Sequence, residues 1–140
     1  MAEVYKRLFS PYTLAGQTIR NRIAMAPLTR QMAEADGTPT GEMVAYYARR
    51  ARGGAGLIIT EGTYEENKLG CRAYLSQPGI VTAKHVKAWR KVTDAVHAHD
   101  CKIILQLMHG GRVSDPRVLG GKAPVSASAT QSPGWTLYTD

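Results

Sequence analysis

The 140-residue sequence is poor in cysteine, in long apolar runs and in membrane or export signals. Its two cysteines, Cys71 and Cys101, have no CxxC pair or histidine at metal-ligand spacing beside them, so neither a disulfide framework nor a metal site is expected. No stretch approaches the roughly 18 apolar residues of a membrane span, and the opening MAEVYKR lacks the apolar part of a secretory signal. These absences predict reduced thiols, no membrane association and a cytoplasmic location.

Acidic residues are also scarce, with 11 Asp and Glu against 18 Lys and Arg, for a formal net charge of +7. The basic residues are scattered, and Arg49, Arg50 and Arg52 fall at a predicted helix end, where cations complement the helix dipole. This pattern does not predict a nucleic-acid surface, although an anionic small molecule stays open as a partner. The segment GGRVSDPRVLGG lacks the GxGxxG order of a dinucleotide-binding loop and does not open a helix.

The composition that remains, 44% hydrophobic and 21% charged, is that of a globular domain. Three apolar segments read as strands: NRIAMAPLTR (21–30), which breaks at Pro27, AGLIITEG (55–62) and CKIILQLMHGGR (101–112). They lack the alternation of half-exposed strands, as expected for strands covered on both faces. Their alternation with helical patterns predicts a parallel sheet with right-handed crossovers.

Two helices are predicted between these strands. Thr40 is placed to cap the first, which ends at Gly53 and Gly54, and Thr82 is placed to cap the second. The apolar positions are Met43, Tyr46, Tyr47 and Ala51 in the first helix and Val86, Trp89, Val92 and Val96 in the second. A loop of about twenty residues precedes the second helix, and the segment after the third strand, to Asp140, reads as loop with a short hairpin.

Each predicted strand delivers unusual residues at its carboxyl end, where α/β sheets and barrels bind ligands. Gln106 is the most informative, because a primary amide within an apolar strand needs partners or costs about 1–3 kcal/mol. Neighbouring backbone could satisfy it instead. Thr29 could be a turn hydroxyl, and Gly62 could either end its strand or let backbone approach a flat ligand. His97 and His99 suit a helix carboxyl terminus better than a metal.

Four separated motifs resemble the amino-terminal half of the Old Yellow Enzyme family of flavin-dependent ene-reductases: LFSPYTLAGQTIRNRIAMAPLTR, GLIITEGT, IILQLMHGGR and APVSAS. The resemblance covers nearly the whole chain and implies a (β/α)8 TIM barrel that binds FMN at the carboxyl ends of its strands. Residues 1–140 would supply about the first three to four strands of that single domain. The implied reaction is reduction of activated alkenes such as enones, with NAD(P)H as reductant.

The resemblance also assigns roles to six residues. The strand end would line the flavin, the Thr29 hydroxyl would bond the flavin O4 and tune the reduced ring, and the Gln106 amide would bond the pyrimidine edge. The implied cofactor-binding set is Ala26, Pro27, Leu28, Thr29, Gly62 and Gln106. Two positions depart from the family: Met108 stands where tryptophan is common, and the loop around Cys71, where a tyrosine is common, differs in length.

The family's carbonyl-binding His/His or His/Asn pair, its proton-donating tyrosine and most of its FMN phosphate site lie downstream of the part that this chain resembles. We therefore expect a complementary polypeptide that carries the rest of the barrel and the catalytic residues. One alternative is a non-catalytic half-barrel that binds a partner or nothing. Another is a relative acting on dienoyl thioesters, which normally carries an iron–sulfur cluster that two cysteines would not hold.

Overall fold

The computed structural model describes residues 5–66 and 71–134, within which a short hairpin precedes a parallel sheet with two helices. In chain order the elements are β1 Tyr12–Leu14, β2 Gln17–Ile19, β3 Ala24–Met25, α1 Gly41–Arg52, β4 Leu57–Ile59, α2 Ala83–His97, β5 Lys102–Ile104 and two 3-10 helices, Gly111–Val113 and Pro116–Leu119. The strand–helix alternation from β3 to β5 is the one that the sequence predicts.

The three strands β3, β4 and β5 lie side by side in that order and are parallel. Ile58 in the middle strand is level with Met25 on one side and Ile103 on the other. The regular ladder is shorter than the predicted segments 55–62 and 101–112. The ladder is interrupted where the Gln106 backbone N–H donates to the Thr60 hydroxyl at 3.1 Å instead of to a backbone carbonyl.

Both helices begin where their caps predict. The Thr40 hydroxyl accepts the Met43 N–H at 3.4 Å, and the Thr82 hydroxyl accepts the His85 N–H at 3.1 Å. The predicted stripe of α2 is wrong at Val86, which is 54% exposed, because His85 takes the buried place. An imidazole is tolerated there since one ring nitrogen accepts the Val81 N–H and the other lies 3.1 Å from the Asp36 carbonyl.

The core lies between the two helices and one face of the sheet. Its centre is formed by aromatic side chains, with the Tyr47 and Trp89 rings 6.4 Å apart and the Tyr46 ring edge-on to Tyr47. Ile58 is the strand residue fully enclosed by this cluster. In the described ranges, neither helix has the length and apolar character needed to cross a membrane.

Two features near the ends of the described chain differ from the sequence prediction. The β1–β2 hairpin was not predicted, because its two-residue turn is Ala15–Gly16 rather than a typical Asn-Gly or Asp-Gly, although both residues have positive φ. Up to residue 134 the last segment holds 3-10 helices instead of the predicted hairpin. The second of these is started by Asp115, which accepts the Arg117 N–H at 2.8 Å, and by Pro116.

Candidate functional site

Among residues 5–66 and 71–134, helices cover one face of the parallel sheet, and the other face is largely open, although Leu57 of the central strand is buried on it. Side chains alternate between the faces, so Ile58 is fully buried while Ile104, one register step further and on the opposite face, is 48% exposed. Ala24 and Ala26 are exposed on the same side as Ile104, whereas Met25 packs against the helical core. Apolar side chains exposed on one face of a parallel sheet are expected for the inner face of a barrel that further strands would fill.

The predicted cofactor residues lie together at the carboxyl edge of this sheet. Ala26, Leu28 and Thr29 continue β3 and are exposed, with Leu28 at 53%, while Pro27 between them is half-buried. Gly62 follows β4 and is buried, and Gln106 follows β5 and is exposed. The Thr63 N–H donates to the Gln106 carbonyl at 2.9 Å, which ties the ends of β4 and β5 together.

Gln106 has a fixed backbone and an available side chain. Its N–H donates to the Thr60 hydroxyl and its carbonyl accepts the Thr63 N–H, while its side-chain amide has no hydrogen-bond partner among the described residues. The alternative raised from the sequence, an amide satisfied by neighbouring backbone, is therefore not what this part of the chain shows. An amide held in this way can donate to and accept from a ligand at once.

Gly62 is needed where it is because another side chain lies against it. A Cβ built on Gly62 would come 2.3 Å from the Met108 sulfur and 2.9 Å from its Cβ. The Gly62 carbonyl accepts the Gln77 side-chain amide at 3.1 Å and the Tyr74 hydroxyl at 3.3 Å. The close approach that the sequence suggested for a flat ligand is made here by Met108.

Behind Gly62 lies a residue that the sequence did not single out. Tyr74 is fully buried, and its hydroxyl donates to the Gly62 carbonyl at 3.3 Å. Burial raises the pKa of Tyr74 and the Thr29 side chain opposes that rise, so the phenol keeps its proton at neutral pH. No periodic pattern marks Tyr74, because it lies in the long loop before α2.

Glu61 holds the segment after Thr29 against β4. It is fully buried, one carboxylate oxygen accepts the Arg30 N–H at 2.9 Å, and the other accepts the Tyr47 hydroxyl at 3.2 Å. The Glu61 N–H in turn donates to the Tyr47 oxygen at 3.0 Å. Burial raises the pKa of Glu61, and these donors oppose that rise. The sequence places Glu61 at the end of an apolar segment but does not indicate this anchoring role.

The two cysteines are free and buried. The Cys71 thiol lies 3.4 Å from a Glu65 carboxylate oxygen and 3.5 Å from one of Glu66. Burial, and then these carboxylates, raise the pKa of Cys71 to about 12. In residues 5–66 and 71–134 no group of three His, Cys, Asp or Glu side chains could hold a metal.

A cavity of about 530 Å³ lies elsewhere, among residues 112–134. Its lining includes Arg112, Ser114 and Thr130 and none of the six predicted cofactor residues. Arg112 donates to the Thr130 hydroxyl at 3.0 Å across it. The candidate site at the strand ends is instead a surface at the edge of the sheet, as expected for one side of a barrel interior.

Comparison with known proteins identifies this arrangement. The sequence profile described as the NADH:flavin oxidoreductase / NADH oxidase family matches residues 7–133. The chain is 45% identical over 114 residues to NADH:acrylate oxidoreductase of Vibrio harveyi, covering 81% of this chain and 11% of that protein. It is 42% identical over 127 residues to chanoclavine-I aldehyde reductase of Penicillium roqueforti, covering 89% of this chain and 34% of that protein.

Solved structures agree. The old yellow enzyme homologue of Zymomonas mobilis superposes with a TM-score of 0.83 at 42% identity, covering 91% of this chain and 34% of that one. Morphinone reductase in complex with tetrahydroNAD superposes with the same TM-score at 40% identity, again covering 34% of its chain. The chain thus spans no more than about a third of these relatives and corresponds to part of their TIM barrel. It belongs to the NADH:flavin oxidoreductase / NADH oxidase family, which confirms the resemblance seen in its sequence.

Proposed function

We propose that this chain forms the amino-terminal part of an FMN-binding barrel that reduces activated C=C bonds with NAD(P)H. The observation that carries the proposal is the meeting of Thr29, Gly62 and Gln106 at the carboxyl ends of three adjacent parallel strands, beside the open face. The matching family model is described as NADH:flavin oxidoreductase / NADH oxidase, and morphinone reductase was solved in complex with tetrahydroNAD.

The residues present fit an isoalloxazine ring. Gln106 offers an amide that has no partner among the described residues, suited to the donor–acceptor pyrimidine edge of a flavin. Thr29 offers an exposed hydroxyl, and Ala26, Pro27 and Leu28 offer an apolar wall. Bound FMN would supply the hydride chemistry, taking hydride from the nicotinamide and delivering it to the alkene. The chain's own contribution is to bind and orient the ring and to stabilise charge on its oxygen atoms.

The proposal includes a complementary polypeptide that carries the rest of the barrel. The open face exposes Ile104, and Leu107 beyond it is 61% exposed, so β5 presents an apolar edge to a further strand. A partner of roughly 200 residues or more would supply the remaining strands, the phosphate site, the carbonyl-binding pair and the proton donor. The preferred substrate would be a small activated alkene.

Co-expression tests this arrangement. The chain is expressed alone and with the remaining barrel segment of the Zymomonas mobilis homologue, which shares its fold over the present residues. Expressed by itself, the chain should self-associate or aggregate. Co-expressed with the remaining segment, it should form a soluble yellow complex that NADH or NADPH bleaches and an enone reoxidises. A soluble, colourless 15 kDa monomer that stays colourless on co-expression would contradict the split-barrel proposal and favour a non-catalytic fragment.

Within the yellow complex, Thr29→Ala tests the flavin contact. Loss of one donor to a developing negative charge should lower the flavin reduction potential, since a hydrogen bond to a charged group contributes about 1.5–3 kcal/mol. Redox titration with a dye of known potential measures the shift. Thr29→Ser, which keeps the hydroxyl, is the matched control, and its flavin reduction potential should stay close to that of the unsubstituted complex. An unchanged potential in Thr29→Ala would show that Thr29 does not contact the ring.

A further inference from the structure

The chain carries one extra residue after β4, at the point where the candidate site begins. Ile59 is level with Ile104, and further along the two strands Thr63 is level with Leu107. Three residues on the β4 side therefore lie opposite only two on the β5 side. Such an excess is a β-bulge, a feature that changes the direction of side chains and is frequent at barrel rims and beside active sites.

The Thr60 hydroxyl joins the two strands across this bulge. The Thr60 N–H donates to the Ile104 carbonyl at 2.9 Å, and in a regular parallel ladder the Thr60 carbonyl would next accept the Gln106 N–H. The Thr60 hydroxyl accepts that N–H instead, at 3.1 Å. Because the hydroxyl donates its own proton to the Glu61 carbonyl at 3.0 Å, its oxygen is left to accept from Gln106. Thr60 is 1% exposed, so water has little access to either bond.

Gln106 is held at both of its backbone groups by the two ends of the bulge. Thr60 accepts its N–H, and the Thr63 N–H donates to its carbonyl at 2.9 Å. Leu105 packs against the helical core, so the next side chain, that of Gln106, lies on the opposite, open face. There it is exposed, and its amide has no partner among the described residues. The position of this amide therefore depends on the Thr60 hydroxyl.

We propose that Thr60 is a positioning residue that fixes the Gln106 amide for its contact with the flavin. This inference rests on the proposed function and deepens it, because the family resemblance assigns Gln106 alone to the pyrimidine edge. Thr60 is buried, so it acts on the ligand through Gln106 and not by touching it. Without the Thr60 hydroxyl, the backbone of Gln106 could shift, and its amide would match the donor and acceptor of the flavin edge for only part of the time.

The test measures the dissociation constant of FMN for the yellow complex and its variants, by ultrafiltration and fluorescence. We expect Thr60→Val, which keeps the shape of the side chain and removes the hydroxyl, to weaken FMN binding about three- to tenfold, the scale of one neutral hydrogen bond. Thr60→Ser, which keeps the hydroxyl, should bind FMN like the unsubstituted complex. When Gln106 is already Leu, Thr60→Val should bring no further loss, because the amide that Thr60 positions is gone.

Thr63→Val is the matched control. The Thr63 hydroxyl is equally buried and donates to the same Glu61 carbonyl, at 3.1 Å. Its bond to Gln106 is made by the backbone N–H, which valine keeps. Thr63→Val should therefore lower the free energy of unfolding and leave FMN affinity unchanged. An equal loss of affinity in the two valine variants would overturn the role of Thr60, since the loss would then follow from weaker packing in general.

Hydrogen exchange of the Gln106 amide in the unsubstituted complex is a second measurement, which does not depend on how any variant folds. The bond to a buried hydroxyl should protect this amide as strongly as the Thr63 amide is protected, and fast exchange would overturn the proposal. If Gln106→Leu leaves FMN affinity unchanged, the proposed flavin contact of Gln106 fails as well. If Gln106→Leu weakens FMN binding and Thr60→Val does not, or if the Thr60→Val effect persists in the Gln106→Leu background, only the role of Thr60 fails.

Discussion

The two faces of the same three-stranded sheet differ in how they are completed. On the helix side, Ile58 is fully enclosed by aromatic and aliphatic neighbours from α1 and α2. On the other side, Ile104 is about half exposed although it is the same residue type on the adjacent strand. Within the described residues, the helices thus form a complete layer on one face of the sheet, and the other face has no equivalent layer.

Hydrogen bonding also differs between polar side chains behind the strand ends and those at the open edge. Gln77 lies behind the strand ends with both ends of its amide hydrogen bonded, whereas Gln106 lies at the open edge with an amide that has no partner in the described part of the chain. Glu61 is likewise bonded behind the strand ends, where it accepts the Arg30 N–H, and Tyr74 donates to the Gly62 carbonyl. Supporting residues that are hydrogen bonded in this way hold the candidate site residues in place.

The largest predicted effect is the difference between alanine substitutions at Ile58 and at Ile104. In the assembled barrel, Ile58→Ala should cost about 2–5 kcal/mol of unfolding free energy and lower hydrogen-exchange protection in both helices, because a core cavity is left. Ile104→Ala should weaken assembly with the remaining barrel while leaving the helix amides protected. Urea unfolding and hydrogen-exchange mass spectrometry measure both. Equal loss of helix protection in the two variants would contradict a face that the chain leaves open.

The two glutamines offer the next comparison. Gln77→Leu should cost about 2–4 kcal/mol, since it strands the buried Ala73 N–H and removes one donor from the Gly62 carbonyl. Gln106→Leu should leave thermal stability of the apoprotein nearly unchanged and weaken FMN retention on dilution. Differential scanning calorimetry and flavin loss on gel filtration give the two readouts. A Gln106→Leu variant that loses stability but retains FMN would make Gln106 a structural residue.

A smaller effect is expected at Tyr47. Tyr47→Phe removes a donor from the buried Glu61 carboxylate and should cost about 1.5–3 kcal/mol at neutral pH. Burial raises the pKa of Glu61 above the ordinary 4.5, so stability is greatest below that pH and falls as pH rises through the higher folded value. The variant should steepen this fall, measured by urea unfolding between pH 4 and 8.

Tyr46→Phe is the control for Tyr47→Phe, since the Tyr46 ring is covered by the Arg50 guanidinium at 3.5 Å and no hydrogen bond to its hydroxyl occurs among the described residues. It should cost little and leave the pH dependence as it is. A fall of the same size in both variants would indicate that ring packing, and not the bond to Glu61, sets the effect.

Much of the fold follows from local sequence signals, which determine the structure at the positions where they occur. The caps Thr40 and Thr82, the apolar strands and their order all predicted the parallel sheet, and the motifs predicted the family. The failures have non-local causes. Val86 was predicted as core because it shares helical spacing with Trp89 and Val92. His85 is buried in its place, and one of the partners that allow this, the Asp36 carbonyl, comes from a distant segment. The hairpin turn at Ala15–Gly16 has no strong local signature.

The positions of the candidate site residues were predictable from the sequence, whereas those of the residues that support them were not. Thr29, Gly62 and Gln106 lie at strand ends, which the strand pattern locates. Tyr74 and Gln77 lie in an irregular loop, and their role depends on where that loop packs. The reason for Gly62 was also hidden, since only three-dimensional structure brings Met108 against it from the neighbouring strand end.

The smallest effect concerns the buried Cys71 thiol and tests whether its surroundings exclude solvent. Burial and the nearby carboxylates raise the pKa of Cys71 to about 12, so the unreactive thiol form should persist in the native protein at pH 8. We expect slow iodoacetamide labelling of Cys71 there, rapid labelling in urea, and a small gain in rate for Glu65→Gln, which removes one carboxylate. Because the folded pKa lies above the ordinary 9, the associated stability is full below pH 9 and is lost as pH rises toward 12. Peptide mass spectrometry separates Cys71 from Cys101, and fast native labelling of Cys71 at pH 8 would show that its surroundings are open to solvent.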